Sequence, residues 1–320
     1  MNSTVLLTGA TGFVGKAVLA DLAMRGHAVR AAIRGAIPAD FGAAAFTIEA
    51  IDGETDWQAV LEGVEVVIHS AARVHVMNDT EVDPLAAFRK VNVEGTLNLA
   101  RQAAAAGARR FVFISSIKVN GEGTVPGRPY RADDEPAPAD PYGVSKMEAE
   151  QGLRALARDT GLEVVIIRPV LVYGPGVKAN FLAMMRWLGK GVPLPFGAVH
   201  NRRSLVALDN LVDLVRICTT HPAAANQTFL VSDGEDLSTT SLMRRMAKAL
   251  GKPARLLPVP AALLALGATL LGRRALSQRL CGSLQVDIEK TRSLLGWTPP
   301  LSVDRALAKA ARHYQEQMNK

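Results

Sequence analysis

Residues 4–15 read TVLLTGATGFVG. Val5, Leu6 and Leu7 form a short apolar run typical of a buried strand, and Gly9, Gly12 and Gly15 follow at a spacing that ends the strand and opens a helix. Glycine suits each place for its own reason: the turn is tight, a pyrophosphate has to approach bare amide groups, and the new helix must lie close on the strand. Phe13 to Arg25 supplies the amphipathic helix that this reading requires. Strand, glycine turn and helix together predict a dinucleotide cradle.

The pattern repeats outward. Apolar, β-branched runs occur at 28–33 (AVRAAI), 46–51 (FTIEAI), 64–69 (VEVVIH), 110–115 (RFVFIS) and 163–168 (EVVIIR), with a helix expected from about Pro84 to Ala106. Strands alternating with helices predict an α/β protein with a doubly wound parallel Rossmann sheet. After Arg168 the rhythm breaks at Pro169, Pro175, Pro193 and Pro195. The expected division is a dinucleotide-binding domain over 1–170 and a smaller substrate-binding lobe over 171–320. A strand and helix at about 205–219 are expected to return to the main sheet, which interleaves the two units.

Composition narrows the function classes. The chain has 320 residues, a net charge of +7 and two cysteines, Cys218 and Cys281, with no Cys/His cluster. Neither a disulfide framework nor a zinc site is encoded, and no metal is expected. A reducing cytoplasm suits the chain, and its first residues carry no secretory pattern. Basic residues are scattered without interleaved aromatics, so phosphates on small molecules explain them better than nucleic acid. The apolar run Ala261 to Leu271 is too short for a membrane span and is expected to be a buried helix, with a membrane-surface segment as the alternative.

A second constellation lies in PYGVSKMEAE, where Tyr142 and Lys146 stand four residues apart on one helical face. A free tyrosine has a pKa of about 10 and is a poor acid–base group at neutral pH. A nearby ammonium is expected to bring it toward the working range. The strand RFVFISS ends in Ser115 and Ser116, whose hydroxyls are candidates to bind a substrate oxygen beside the tyrosine.

With these residues in view the chain resembles the extended short-chain dehydrogenase/reductases, which include nucleotide-sugar epimerases, dehydratases and 4-reductases. TGATGFVG is similar to TGxxGxxG, HSAA at 69–72 to HxAA, and VNVEGT at 91–96 to NVxGT. SSIKVNG looks like SSxxVYG with Asn120 replacing the tyrosine. PYGVSK resembles YxxxK, RPVLVYGPG at 168–176 resembles RPxxVYGPG, and DIEKTRSLLGWTPP at 287–300 resembles DxxKxxxxLGWxP. The resemblance covers nearly the whole chain.

It implies roles. Gly9, Gly12 and Gly15, with Thr11, Phe13 and Val14, would line the pyrophosphate. Asp52 and Gly53 would sit at the adenine, and Ala71, Ala72 and Pro169 would line the path to the nicotinamide. Ser116, rather than Ser115, would orient the sugar oxygen. Tyr142 would exchange its proton, and Lys146 would hold the nicotinamide ribose while lowering the tyrosine's pKa. Asn180 and Arg203 would contact the diphosphate of a nucleotide sugar, with Arg279 as a second phosphate contact. The resemblance also implies a homodimer through the helices around 84–106 and 142–159. His75 is expected to be a loop histidine, and Asp133, Asp134 and Glu135 a solvated loop.

The reaction stays open between two activities. At the end of the second strand the carboxylate that selects NAD is absent; Ile33 stands there, followed by Arg34, which favours NADP(H) while leaving NAD(H) possible. That preference points to a 4-ketosugar reductase, and the resemblance to bacterial surface-polysaccharide enzymes implies a UDP-4-keto-6-deoxy-N-acetylhexosamine as its substrate. The alternative is a UDP-sugar 4-epimerase. A non-catalytic dinucleotide sensor is a remote third reading, since both Tyr142 and Lys146 are present.

Overall fold

The computed structural model describes residues 3–37, 41–74, 83–270, 272, 278 and 280–319. Seven parallel strands form the main sheet: β1 (Thr4–Thr8), β2 (Ala28–Arg34), β3 (Ala44–Ile48), β4 (Val66–His69), β5 (Arg110–Ile114), β6 (Glu163–Pro169) and β9 (Thr228–Val231), in the order β3-β2-β1-β4-β5-β6-β9. The order reverses at β1, whose neighbours are β2 and β4, so the glycine turn after β1 opens at the switch point where a doubly wound sheet has its crevice. Three further strands, β7 (Leu171–Tyr173), β8 (Arg203–Ala207) and β10 (Asp236–Leu237), make a separate small sheet.

Strand periodicity divides the core. Val5, Leu7, Ile68, Val112 and Val165 face one side, where helices α1 (Phe13–Met24) and α7 (Leu208–Thr220) cover them. Leu6, Val67, Phe111, Phe113, Val164 and Ile166 face the other, under α4 (Thr96–Ala105) and α5 (Pro141–Thr160). Alternate residues thus feed opposite layers, which is why the strands read as continuous apolar runs. In the small lobe Tyr173, Phe181, Leu205, Leu237, Met243 and Leu307 form a third core between the small sheet and helices α6 (Ala179–Gly189), α8 (Thr239–Ala249) and α11 (Val303–Met318). The remaining labelled helices are α2 (Gln58–Leu61), α3 (Pro84–Arg89), α9 (Ala261–Leu270) and α10 (Glu289–Leu295). No described helix is long and apolar enough to cross a membrane.

Three expectations need correction. The strand at 203–207 pairs with β7 and β10, not with the main sheet; the strand that completes the main sheet is Thr228–Val231. Residue pattern does not separate the two, because β8 is buried on both faces, Val206 in the first core and Leu205 and Ala207 in the third. The following helix, α7, does return, packing on α1.

The helix expected across 84–106 is three segments: α3, a π-helical stretch Lys90–Gly95, and α4. The wide turn carries Asn92 inward, and Gly95 lies so close to Ile51 that a Cβ would stand 2.8 Å from its carbonyl carbon.

Lastly, α9 is not a buried helix. None of its residues is buried, and Leu263, Leu266 and Leu270 are 58%, 57% and 79% exposed. The third core is closed by other elements, and α9 contributes nothing to it.

Candidate active site

The three glycines of the first turn do different things. Gly9 has φ of +73°, a left-handed conformation, and a Cβ there would press on the Ala71 amide and the Ser70 hydroxyl. At Gly15 a Cβ would run into the Gly9 carbonyl, so α1 can lie this close only on glycine. Gly12 is the N-cap of α1, in an extended conformation with its N–H donating to Gly9 O at 2.8 Å. A Cβ at Gly12 would meet only that carbonyl, at 3.1 Å, and face open space otherwise. No side chain caps α1, so its first amide groups are available to an anion. This cradle fits a dinucleotide pyrophosphate. Thr11, Phe13 and Val14 occupy the same turn, with Thr11 exposed and the other two partly buried.

The floor beside the cradle is cross-tied. Thr8 Oγ1 is 2.8 Å from Nδ1 of His69 and accepts from the Ala71 amide at 3.3 Å, while Ser70 Oγ donates to Thr8 O at 2.7 Å. On its other side His69 Nε2 is 3.0 Å from Thr96 Oγ1. Burial first, and the Lys146 charge second, push His69 down to about 3, so it is a neutral ring bridging two threonines. Ala71 and Ala72 follow, half-buried at the β4 terminus. Asp52 accepts from Thr55 Oγ1 and the Glu54 amide, and these bonds hold its carboxyl below the usual range. Gly53 is exposed beside it, Pro169 is buried at the end of β6, and at the end of β2 Ile33 is buried while Arg34 is exposed.

Helix α5 carries Tyr142 and Lys146. Asp140 caps it, accepting from the Gly143 amide at 2.6 Å, Pro141 opens it with a preset φ, and Gly161 at φ +77° closes it. Tyr142 has the Ser116 hydroxyl close enough to favour its phenolate and meets the Phe88 ring edge-on at 5.9 Å. Ser115 points elsewhere, donating to Glu150 Oε1 at 2.6 Å. The structure therefore brings Ser116 and Tyr142 together and takes Ser115 away.

Lys146 is 1% exposed; its ammonium donates to Ile114 O at 2.8 Å and lies 4.2 Å from the Phe113 ring centroid. Burial lowers it to about 7, against the opposing pull of Glu150. The expected depression of Tyr142 is not found: burial and then the Asp140 charge push it up to about 12, with only the nearby Ser116 hydroxyl acting the other way. The reason is physical. A buried phenol resists ionisation, and the carboxylate at the helix cap outweighs any help from an ammonium whose own charge burial disfavours.

Several residues with no role assigned from sequence hold this site. Glu150, eight positions beyond Tyr142 on the same helix, accepts two bonds from Arg168, at 2.8 and 2.5 Å, and one from Arg154 at 3.1 Å. Arg168 also donates to Asn120 Oδ1 at 3.0 Å, so the asparagine that replaces the motif tyrosine anchors a buried guanidinium. Asn92 takes the amide of Arg73 and gives to its carbonyl and to Ser145 Oγ, tying the loop after β4 to α5. The i, i+4, i+8 register of Tyr142, Lys146 and Glu150 was the available signal.

The proposed diphosphate contacts are less concentrated. Arg203 opens β8 and donates to Gly282 O at 3.1 Å; burial lowers its guanidinium, offset by the Glu122 charge. Asn180 is exposed in the first turn of α6, and no hydrogen bond joins the two side chains. Arg279 and His75 lie outside the described residues. Asp133, Asp134 and Glu135 are exposed. Among the described residues no group of three His, Cys, Asp or Glu could hold a metal ion.

Sheet order, glycine cradle and the capped helix beside them define a Rossmann-type short-chain dehydrogenase/reductase of the extended kind. The model of the NAD dependent epimerase/dehydratase family matches residues 5–232, and the chain belongs to that family. It is 49% identical over 322 residues to a UDP-glucose 4-epimerase of Vibrio cholerae, covering 100% of this chain and 98% of that one. Among solved structures, a Thermotoga maritima UDP-glucose 4-epimerase with UDP-glucose has a TM-score of 0.77 at 22% identity, covering 98% of this chain and 99% of that one. A Bacillus cereus UDP-glucuronic acid 4-epimerase in complex with NAD has the same TM-score at 21% identity, covering 99% and 100%. At those identities the two structures bear on the fold alone.

Proposed function

We propose that this protein inverts carbon 4 of a UDP-linked hexose, using a bound NAD. The observation that carries the reading is the likeness over the full chain to the Vibrio cholerae UDP-glucose 4-epimerase. Bound NAD supplies a hydride acceptor that can return the same hydride to either face of the sugar. Gly9, Gly12 and Gly15 would hold its pyrophosphate through backbone amides, and Asp52 and Gly53 would flank its adenine.

Within this reading Tyr142 takes the proton of the 4-hydroxyl and gives it back, and Ser116, near the same phenol, orients that hydroxyl. Lys146, close under the tyrosine's helix turn, positions the ribose end of the cofactor. Asn180 and Arg203 belong to the lobe that would receive the diphosphate, Arg203 through its guanidinium. The protein would pair through α3, α4 and α5.

A second reading, reduction of a UDP-4-keto-6-deoxy-N-acetylhexosamine by NADPH, is favoured by one observation. At the end of β2 a buried Ile33 replaces a ribose-binding carboxylate and Arg34 is exposed beside it, a pairing that suits a 2′-phosphate. One experiment separates them. The freshly purified protein is denatured, the released dinucleotide identified, and UDP-glucose conversion to UDP-galactose followed. Tightly held NAD with interconversion and no net cofactor consumption is the expected result. Absence of bound NAD, with NADPH oxidised by the 4-keto sugar, would replace the epimerase by the reductase.

A further inference from the structure

Helix α9 has no place in any of the three cores, yet it is built almost wholly from alanine and leucine. At about 100° per residue, Ala262, Leu263, Leu266 and Leu270 fall within an arc of about 100°, so the exposed leucines form one outward stripe. Upstream of the helix Leu257 is also exposed, at 52%. A parallel ribbon fixes this segment: Leu194 donates to Arg255 O and accepts from the Leu257 amide, and Gly197 donates to Leu257 O. Val192, two residues before that ribbon, is itself 37% exposed. Exposed leucines gathered on one face of a helix are apolar surface of the kind that marks an interaction site.

The charge around it selects the partner. From Leu237 to Val286 the sequence has eight lysines and arginines and no aspartate or glutamate, so this segment alone accounts for the positive balance of the chain. Lys252 and Arg255, immediately before the stripe, are exposed and form no ion pair with a described residue. An apolar stripe bordered by unpaired cations matches an anionic bilayer, whose acyl boundary accepts the leucines while its head groups accept the cations. A second copy of the chain is a poorer match, because a symmetric contact would set the same cationic rim against itself. Ten residues are too few to cross a bilayer but suffice to lie in its interface.

We propose that α9, with Leu257, Lys252 and Arg255, seats this protein on the surface of an anionic membrane. The test is cosedimentation of the full chain with vesicles of phosphatidylcholine alone or mixed with phosphatidylglycerol. Wild type should bind the mixed vesicles, and binding should fall as ionic strength rises. Leu263→Gln/Leu266→Gln/Leu270→Gln should weaken binding about tenfold or more. Lys252→Gln and Arg255→Gln should each weaken it about fivefold. All should keep the wild-type circular dichroism and melting temperature, because the altered side chains are exposed. Failure of wild type to bind phosphatidylglycerol vesicles would overturn the proposal, as would equal binding by the triple-leucine variant. Self-association that disappears in the leucine variant, without vesicle binding by wild type, would instead assign the stripe to a second copy.

Discussion

Ser115 gives its hydroxyl proton to Glu150 at 2.6 Å, and this bond separates two adjacent serines that sequence alone presents as equivalent. Successive residues past a strand point to opposite sides, so one serine enters the buried Glu150–Arg168 pair and the other meets Tyr142. Ser116→Ala should lower kcat by about a hundredfold with little change in stability. Ser115→Ala should keep kcat within a few-fold and lower stability by about 1 kcal/mol, the worth of one hydrogen bond to a charged group less compensation. Steady-state kinetics and urea unfolding on both variants check the split; the reverse pattern would exchange the roles.

The proposed acid–base group is shifted first by burial and second by the charge of its helix cap. Tyr142→Phe should remove about a hundred- to ten-thousandfold of the turnover while leaving dinucleotide binding intact. Asp140 raises the phenol's pKa and is itself bonded to Lys118, whose ammonium is held above its ordinary value by Asp140 and Glu122 despite burial. Asp140→Asn retains a capping oxygen and removes the charge, so Tyr142 should ionise below about 12. Phenolate absorbance, taken as the difference from Tyr142→Phe, reads this directly. A wild-type phenolate step near neutrality would contradict the structure.

Lys146 makes stability depend on pH. Its folded value, about 7, lies below its ordinary 10.5, so between those limits the unfolded chain binds more protons. Stability from this group therefore rises with pH across that window and is smallest near and below pH 7. Lys146→Met keeps the length of the side chain and abolishes the titration. The variant should gain stability relative to wild type near pH 7, and the advantage should shrink toward pH 10. Urea midpoints that stay parallel across that range would show that Lys146 is not desolvated as described.

Sequence made the sheet, the glycine cradle and the Tyr142–Lys146 face legible because each rests on local spacing: a strand period, a turn, one face of a helix. What escaped it depends on which surface is covered by something distant. Strand β8 is apolar on both faces whichever sheet it joins, α9 is apolar whether or not anything packs on it, and Glu150 looks like an exposed helix glutamate until Arg168 is brought to it by β6. That last pair predicts its own cost. Glu150→Ala leaves a buried guanidinium unpaired and should destabilise the protein by about 3–5 kcal/mol. Glu150→Gln/Arg168→Met should recover part of it, as chemical denaturation would show.

The glycine cradle makes the sharpest separation between folding and binding. At Gly15 a methyl group collides with the Gly9 carbonyl of the turn after β1, which cannot yield without moving α1 away from that turn. Gly15→Ala should therefore lower the melting temperature and dinucleotide affinity together. At Gly12 the backbone is already extended, φ −80°, a conformation alanine adopts freely, and the single close neighbour is a carbonyl oxygen at 3.1 Å. Gly12→Ala should change stability by no more than a few tenths of a kcal/mol, the usual difference between these residues when no capping bond is lost. In the proposed cofactor site the pyrophosphate would approach the amides of α1 past this position, so dinucleotide affinity should fall by at least about tenfold. Calorimetry with NAD and NADP, paired with thermal melts, measures both quantities on each variant. If Gly12→Ala binds dinucleotide as wild type does, the pyrophosphate does not lie across this turn, and the cofactor site assigned to Gly9, Gly12 and Gly15 is wrong.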